Sequence, residues 1–239
     1  MTMLDIVAAI LLGAGAAAVV GALLGGVGGA LRVRLLGGLA AWFGLLLAAG
    51  AAGLFANGRT IAVGVAAVAL LGVGVALGRS AGLRGELGAI PIERLIGVHV
   101  LRLLGAFFVL LHASGRVSAP FGPVAGWGDV AVAGAAPFVA WAAQRQWSAW
   151  RALTLAWNTL GLADLLVAVG LGITSVPGAP MQLFFEAPGT TLMGNLPWVL
   201  VPTFLVPLFI LTHVAVFQRL RRAAIVRPAV GKALHSPAA

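Results

Sequence analysis

Three histidines, an arginine, two aspartates and an asparagine interrupt otherwise apolar runs in this chain, and they are the residues with chemistry to offer. The stretch IGVHVLRLLGAFFVLLHASGR (96–116) carries His99 and Arg102 three residues apart, with His112 thirteen residues after His99. Asp129 opens a later apolar run, Asn158 and Asp164 share another, and His213 stands near the end of the last. Histidine is the side chain whose ordinary titration falls near neutral pH. An ionisable group inside a bilayer costs about 2.5–3.5 kcal/mol on insertion scales, so such groups are by default paired or functional. A line of them from one membrane face to the other suits a proton relay or a path for a small solute, with Arg102 holding an anion or acting as a fixed charge. Two histidines at one depth on facing helices suit a different chemistry, the axial ligation of a b-type haem. In that alternative His99 and His213 are the ligands, and Arg102 or Arg219 meets the propionates.

Several classes are disfavoured by composition. The 239 residues are 61% hydrophobic and only 9% charged, whereas a soluble domain averages about 45–50% apolar and about 25% charged. The mean hydropathy is +1.08. The net charge of +9 is carried by bases between apolar runs and in the C-terminal stretch, which is membrane topology and not a nucleic-acid footprint. The chain has no cysteine, which excludes disulfides, thiolate metal sites and cysteine nucleophiles. A small metal site needs three or more ligands and finds too few within reach. No HExxH or GxSxG hydrolase motif occurs. Gly126-Trp127-Gly128-Asp129 has the GxGD form of aspartyl intramembrane proteases, but its partner Asp164 follows Ala163, where that family has tyrosine. The expectation is therefore a protein that is not an enzyme. Asp5 and the absence of a positively charged leader argue for a retained first span over a cleaved signal peptide.

The elements that must position these residues are membrane-spanning helices, each needing about 20 mostly apolar residues. Seven runs qualify, at 4–28, 35–56, 60–78, 91–113, 127–143, 152–174 and 196–218. The first, third and fifth loops and the C-terminal stretch hold twelve of the Lys and Arg residues, and the second, fourth and sixth loops hold two. By the positive-inside rule the N-terminus is outside and the C-terminus cytoplasmic. The expected fold is all-α with seven transmembrane helices; the Ala/Gly/Arg/Val-rich, Lys-poor composition suggests a GC-rich bacterial genome, and the expected location is the bacterial inner membrane. Residues 1–90 read as a Gly/Ala-rich scaffold of three helices with small-residue faces for close packing. Residues 91–222 read as a four-helix unit bearing the polar site, and 223–239 as a basic, disordered tail.

At about 1.5 Å per residue, His99 and His213 fall at similar depth on antiparallel helices, with Arg102 and Asn158 one turn deeper. This groups His99, Arg102, Asn158 and His213 as an inner cluster and His112, Asp129 and Asp164 as an outer one, with an Arg102–Asp164 pair as the plainest alternative. Asp129 reads as a residue near the N-cap of span five, after the turn-rich ASGRVSAPFGPVAGWGD (113–129). Pro202 and Pro207 mark a kink in span seven. Trp127, Trp141, Trp147, Trp150 and Trp198 read as interfacial belts. The segments AGWGD (125–129), WNTLGLADL (157–165) and LPWVLVPTFLVPLFILTH (196–213) resemble a group of bacterial multi-pass inner-membrane proteins with no assigned activity. The resemblance implies that spans four to seven form the functional unit. The reading that follows is transport of a proton or small solute through the polar site. The haem protein and a structural or receptor-like protein with paired charges are the alternatives. If the inner cluster is one site, His99→Ala and His213→Ala disturb the same measurable property; independent behaviour in purified variants contradicts it.

Overall fold

The computed structural model describes residues 2–233. Seven helices are long and apolar enough to cross a membrane: Met3–Leu24, Gly29–Ala51, Thr60–Arg79, Ile92–Ala113, Phe121–Gln144, Trp150–Thr174 and Val201–Arg222, here spans one to seven. A short helix, Ala81–Ala89, links spans three and four. The last helix continues to Ala233, into the stretch expected as a tail from residue 223, and residues 234–239 lie outside the described residues.

Three starts differ from the sequence expectation. Span seven begins at Val201, five residues after its expected start. Span two begins at Gly29, so Arg32 and Arg34 lie in its first turns. Span five begins at Phe121, six residues before the expected start. Its prolines do not prevent this. Pro120 is the residue before the helix and Pro123 lies in the first turn, where backbone N–H groups have no intrahelical acceptor and a missing donor costs nothing.

Spans four and seven form the centre. Spans five and six pack on each other, five against four and six against seven; span three packs on span seven and span one on span four. Span two is peripheral, with Leu46 its only buried residue. The two central helices are also the irregular ones. Span four runs as a 3-10 helix over Val98–Gly105, and span seven opens with a π-helical turn over Val201–Leu205. Pro202 lies in that turn and Pro207 just after it, so the π geometry falls where proline removes backbone donors.

Loops meet at two ends, consistent with seven alternating crossings. At one end Ser118 N–H donates to Gly189 O at 3.2 Å, and Gly189 N–H donates to Ser118 Oγ at 2.7 Å. At the other, Gly28 N–H donates to Glu86 Oε2 at 3.4 Å and the Arg219 guanidinium donates to Ile90 O. Span one is fixed to the first of these ends by Asp5. Thr2 and Asp5 form a reciprocal capping box. The same carboxylate accepts from Arg116 Nη2 at 2.8 Å and from Trp198 Nε1 at 2.9 Å. Trp198 is thus fully buried and is not part of an interfacial belt; an indole N–H in an apolar interior needs an acceptor, and Asp5 supplies it.

Asp5→Ala should therefore destabilise the detergent-solubilised protein more than Arg116→Ala. The first leaves Trp198 Nε1 buried and unpaired, a cost of about 1–3 kcal/mol; the second removes a partner whose side chain is 25% exposed. Equal losses in thermal unfolding contradict the assignment.

Candidate functional site: a buried arginine between two aspartates

The 3-10 segment of span four decides which side chains share a face. At about three residues per turn, positions i and i+3 eclipse. His99, Arg102 and Gly105 therefore line up along one face, and all three are buried. Arg102 lies near the middle of the span, 2% exposed. Its Nε–H donates to Asp129 Oδ1 of span five at 2.6 Å. Nη2 donates to Asp164 Oδ2 of span six, and Nη1 donates to the Gly161 carbonyl at 3.0 Å. Nη1 also stands 3.4 Å from His213 Nε2 of span seven. One guanidinium thus joins four spans.

The histidines complete the site. His213 Nδ1 meets Asn158 Oδ1 at 2.8 Å, and Asn158 Nδ2 donates to the His213 carbonyl at 3.1 Å. The Nδ1–H tautomer satisfies both neighbours, leaving Nε2 as an acceptor facing Arg102. His99 Nε2 lies 2.9 Å from Thr212 Oγ1, whose hydroxyl donates to Phe209 O at 2.8 Å. The hydroxyl's single proton being used, His99 is the donor through Nε2. His99 Nδ1 is then a buried lone pair with no hydrogen-bond partner. The two imidazoles touch, with centroids 4.1 Å apart and planes tilted by 40°. Trp157 packs edge-on against His99, its centroid 5.2 Å away, and donates through Nε1 to Val132 O at 3.0 Å.

Glycine makes this convergence sterically feasible. A Cβ at Gly128 would overlap the Asp164 carboxylate, one at Gly105 would stand 2.6 Å from Asp129 Oδ2, and one at Gly161 would stand 2.7 Å from His213 Cε1. Gly128 and Gly161 belong to the AGWGD and WNTLGLADL segments, so those segments combine a charged residue with the gap that admits a neighbouring helix.

His99, Arg102, Asn158 and His213 are brought together, and Asp164 joins them. The outer grouping is corrected. Asp129 is not near an N-cap; the earlier start of span five carries it about 12 Å along the helix, onto Arg102. His112 stands apart, its Nδ1 3.2 Å from Val117 O. Thr212 and Gly105 were not singled out in the sequence, and Gly128 was named only for its place in the GxGD form. The only signals were a threonine beside a buried histidine and glycines within apolar runs. The ring contact between His99 and His213 leaves no slot for a porphyrin, and Arg102 Nη1 and Thr212 Oγ1 face the nitrogens an iron would need; the residues do not fit a haem. Among the described residues no group of three or more His, Cys, Asp or Glu is arranged to hold a metal ion.

Gly128→Ala is expected to force Asp164 from Arg102, costing about 1–3 kcal/mol as overpacking. Gly134→Ala in the same span, whose Cβ meets open space, is expected to be neutral or slightly stabilising. Thermal unfolding of both variants is the check, and equal behaviour contradicts the close approach.

No curated protein and no solved structure significantly matches this chain. A family model matches residues 58–221, from just before span three into span seven, and includes every residue of the Arg102 site. The chain belongs to that family, described as Domain of unknown function (DUF8737).

Proposed function

We propose that this protein is a membrane transporter that moves a proton, alone or with a small solute, through the Arg102 site. Its setting in this reading is a bacterial cytoplasmic membrane, with the N-terminus outside and the C-terminus inside. The observation that carries the reading is the charge count. One guanidinium is bound by two largely buried carboxylates among apolar spans, so one carboxylate has no countercharge. An uncompensated charge there is costly, and a proton shared by the Asp129/Asp164 pair removes it. Such a proton sits on a carboxyl oxygen as an acidic O–H, which can pass it to a neighbouring acceptor and take it back.

Two further features support exchange. His99 Nδ1 offers a vacant acceptor position in the same cluster, in ring contact with His213. A cavity of about 30 Å³ bordered by Arg102, Asp129 and Gly105 is large enough for a water. The irregular turns in spans four and seven are of the kind found at hinges, and a hinge there would open the site to one side at a time.

The test is proton flux in liposomes carrying an entrapped pH dye, driven by a potassium diffusion potential. Wild type is expected to dissipate the gradient faster than empty vesicles, with Asp129→Asn and Asp164→Asn each slowing it at least about tenfold, as for loss of a proton-transfer group. Gly134→Ala is expected to match wild type. Wild-type flux equal to that of empty vesicles, or flux unchanged by both Asn substitutions, returns the charges to the role of interhelical glue.

A further inference from the structure

A second cavity has a different character from the Arg102 site. It holds about 310 Å³, at the small end of the range of about 300–1,000 Å³ for ligand sites. One wall is span three, through Val63, Gly64 and Val68; the opposite wall is span six, through Leu165, Val169 and Ile173. Span seven closes the back through Pro202, Pro207 and Ile210. Val68 is 66% exposed and Ile173 38%, so the cleft opens sideways, on surfaces that face hydrocarbon in a bilayer. An occupant entering there comes from the membrane and is itself apolar over most of its length.

The ends of the cleft differ in charge. Arg59 lies at the rim, beside the start of span three. It is exposed, and among the described residues its guanidinium makes no hydrogen bond or ion pair. Asp129 lies at the deep end, about 12 Å along span five from that rim. Its carboxylate is paired with Arg102, so an anionic headgroup is attracted at the mouth and finds no free cation at the floor. From Thr60 to Leu71 the span-three wall rises about 16 Å, parallel to the acyl chains of the surrounding bilayer.

We infer that the cleft between spans three and six holds one acyl chain of an anionic phospholipid, with the phosphate against Arg59 and the chain end towards Asp129. The chain fills apolar volume that water occupies poorly, and the headgroup pairs the free cation at the depth where headgroups lie. The site differs from ordinary contact with the bilayer in having three walls, a floor and one fixed charge. It stands independently of whether the Arg102 site moves protons.

The test is native mass spectrometry of delipidated, detergent-solubilised full-length protein titrated with phosphatidylglycerol, phosphatidylcholine or palmitate. One phosphatidylglycerol per chain is expected, bound about fivefold more tightly than phosphatidylcholine, the factor one arginine contributes at an anionic headgroup. Arg59→Gln should abolish that preference while leaving one lipid bound. Gly64→Leu, built where a Cβ meets open space, and Val169→Trp should each remove the bound lipid by filling the cleft from opposite walls. Equal affinity for the two phospholipids, an undiminished bound lipid in both filled variants, or binding of palmitate without phosphatidylglycerol overturns the inference.

Discussion

The guanidinium of Arg102 sets the arrangement of everything around it. In the middle of a membrane it has no water to bind, so its N–H groups must find protein acceptors. They find them on three other helices: Asp129 on span five, Asp164 and the Gly161 carbonyl on span six, and His213 on span seven. Those contacts require the helices to come closer than side chains ordinarily allow, which is why Gly105, Gly128 and Gly161 stand at the crossings. They also require Arg102 and His99 to share a face, which the 3-10 geometry of Val98–Gly105 provides. Helix shape, glycine placement and charge placement are one constraint seen from three sides.

Stability alone does not account for this arrangement. Replacing a buried charged cluster by well-packed apolar residues is often neutral or stabilising, whereas removing one member is strongly destabilising. Hydrogen bonds between membrane helices contribute only about 0.6 kcal/mol on average. An apolar core of Leu, Val and Phe would join the same spans at less cost. The cluster holds one arginine, two carboxylates and two touching imidazoles, one of them with an unpartnered nitrogen, which is the set the proposed proton exchange needs. Asp5 makes the contrast plain. It is also buried and also meets an arginine, but its partners Thr2, Arg116 and Trp198 all belong to chain ends and loops, and its work is to anchor.

Much of the architecture was legible in the sequence because hydropathy over about 20 residues is a strong signal. The seven spans, the depth match of His99 and His213, and the placing of Asn158 near Arg102 follow from counting residues along helices, whereas Asp164 was grouped with the outer residues and its pairing with Arg102 stood only as the alternative. Asp129 did not follow. The glycines and prolines of residues 113–128 read as loop, yet here prolines occupy a helix start and glycines serve close packing, two uses that composition cannot separate from a turn. Trp198 was misplaced because its partner Asp5 lies 193 positions away, beyond any local pattern. The 3-10 and π turns have no sequence signature beyond Pro202 and Pro207, and the lateral cleft depends on how spans three and six stand apart.

The central claim is that two carboxylates share one arginine and one proton. Infrared difference spectroscopy of the purified protein, recorded between mildly acidic and strongly alkaline buffer, observes that proton directly. The account requires a carbonyl stretch from a protonated carboxylic acid in wild type. It also requires the band to vanish in both Asp129→Asn and Asp164→Asn, because the single carboxylate left in either variant is fully neutralised by Arg102. Absence of the band in wild type, or its persistence in both variants, would contradict the account.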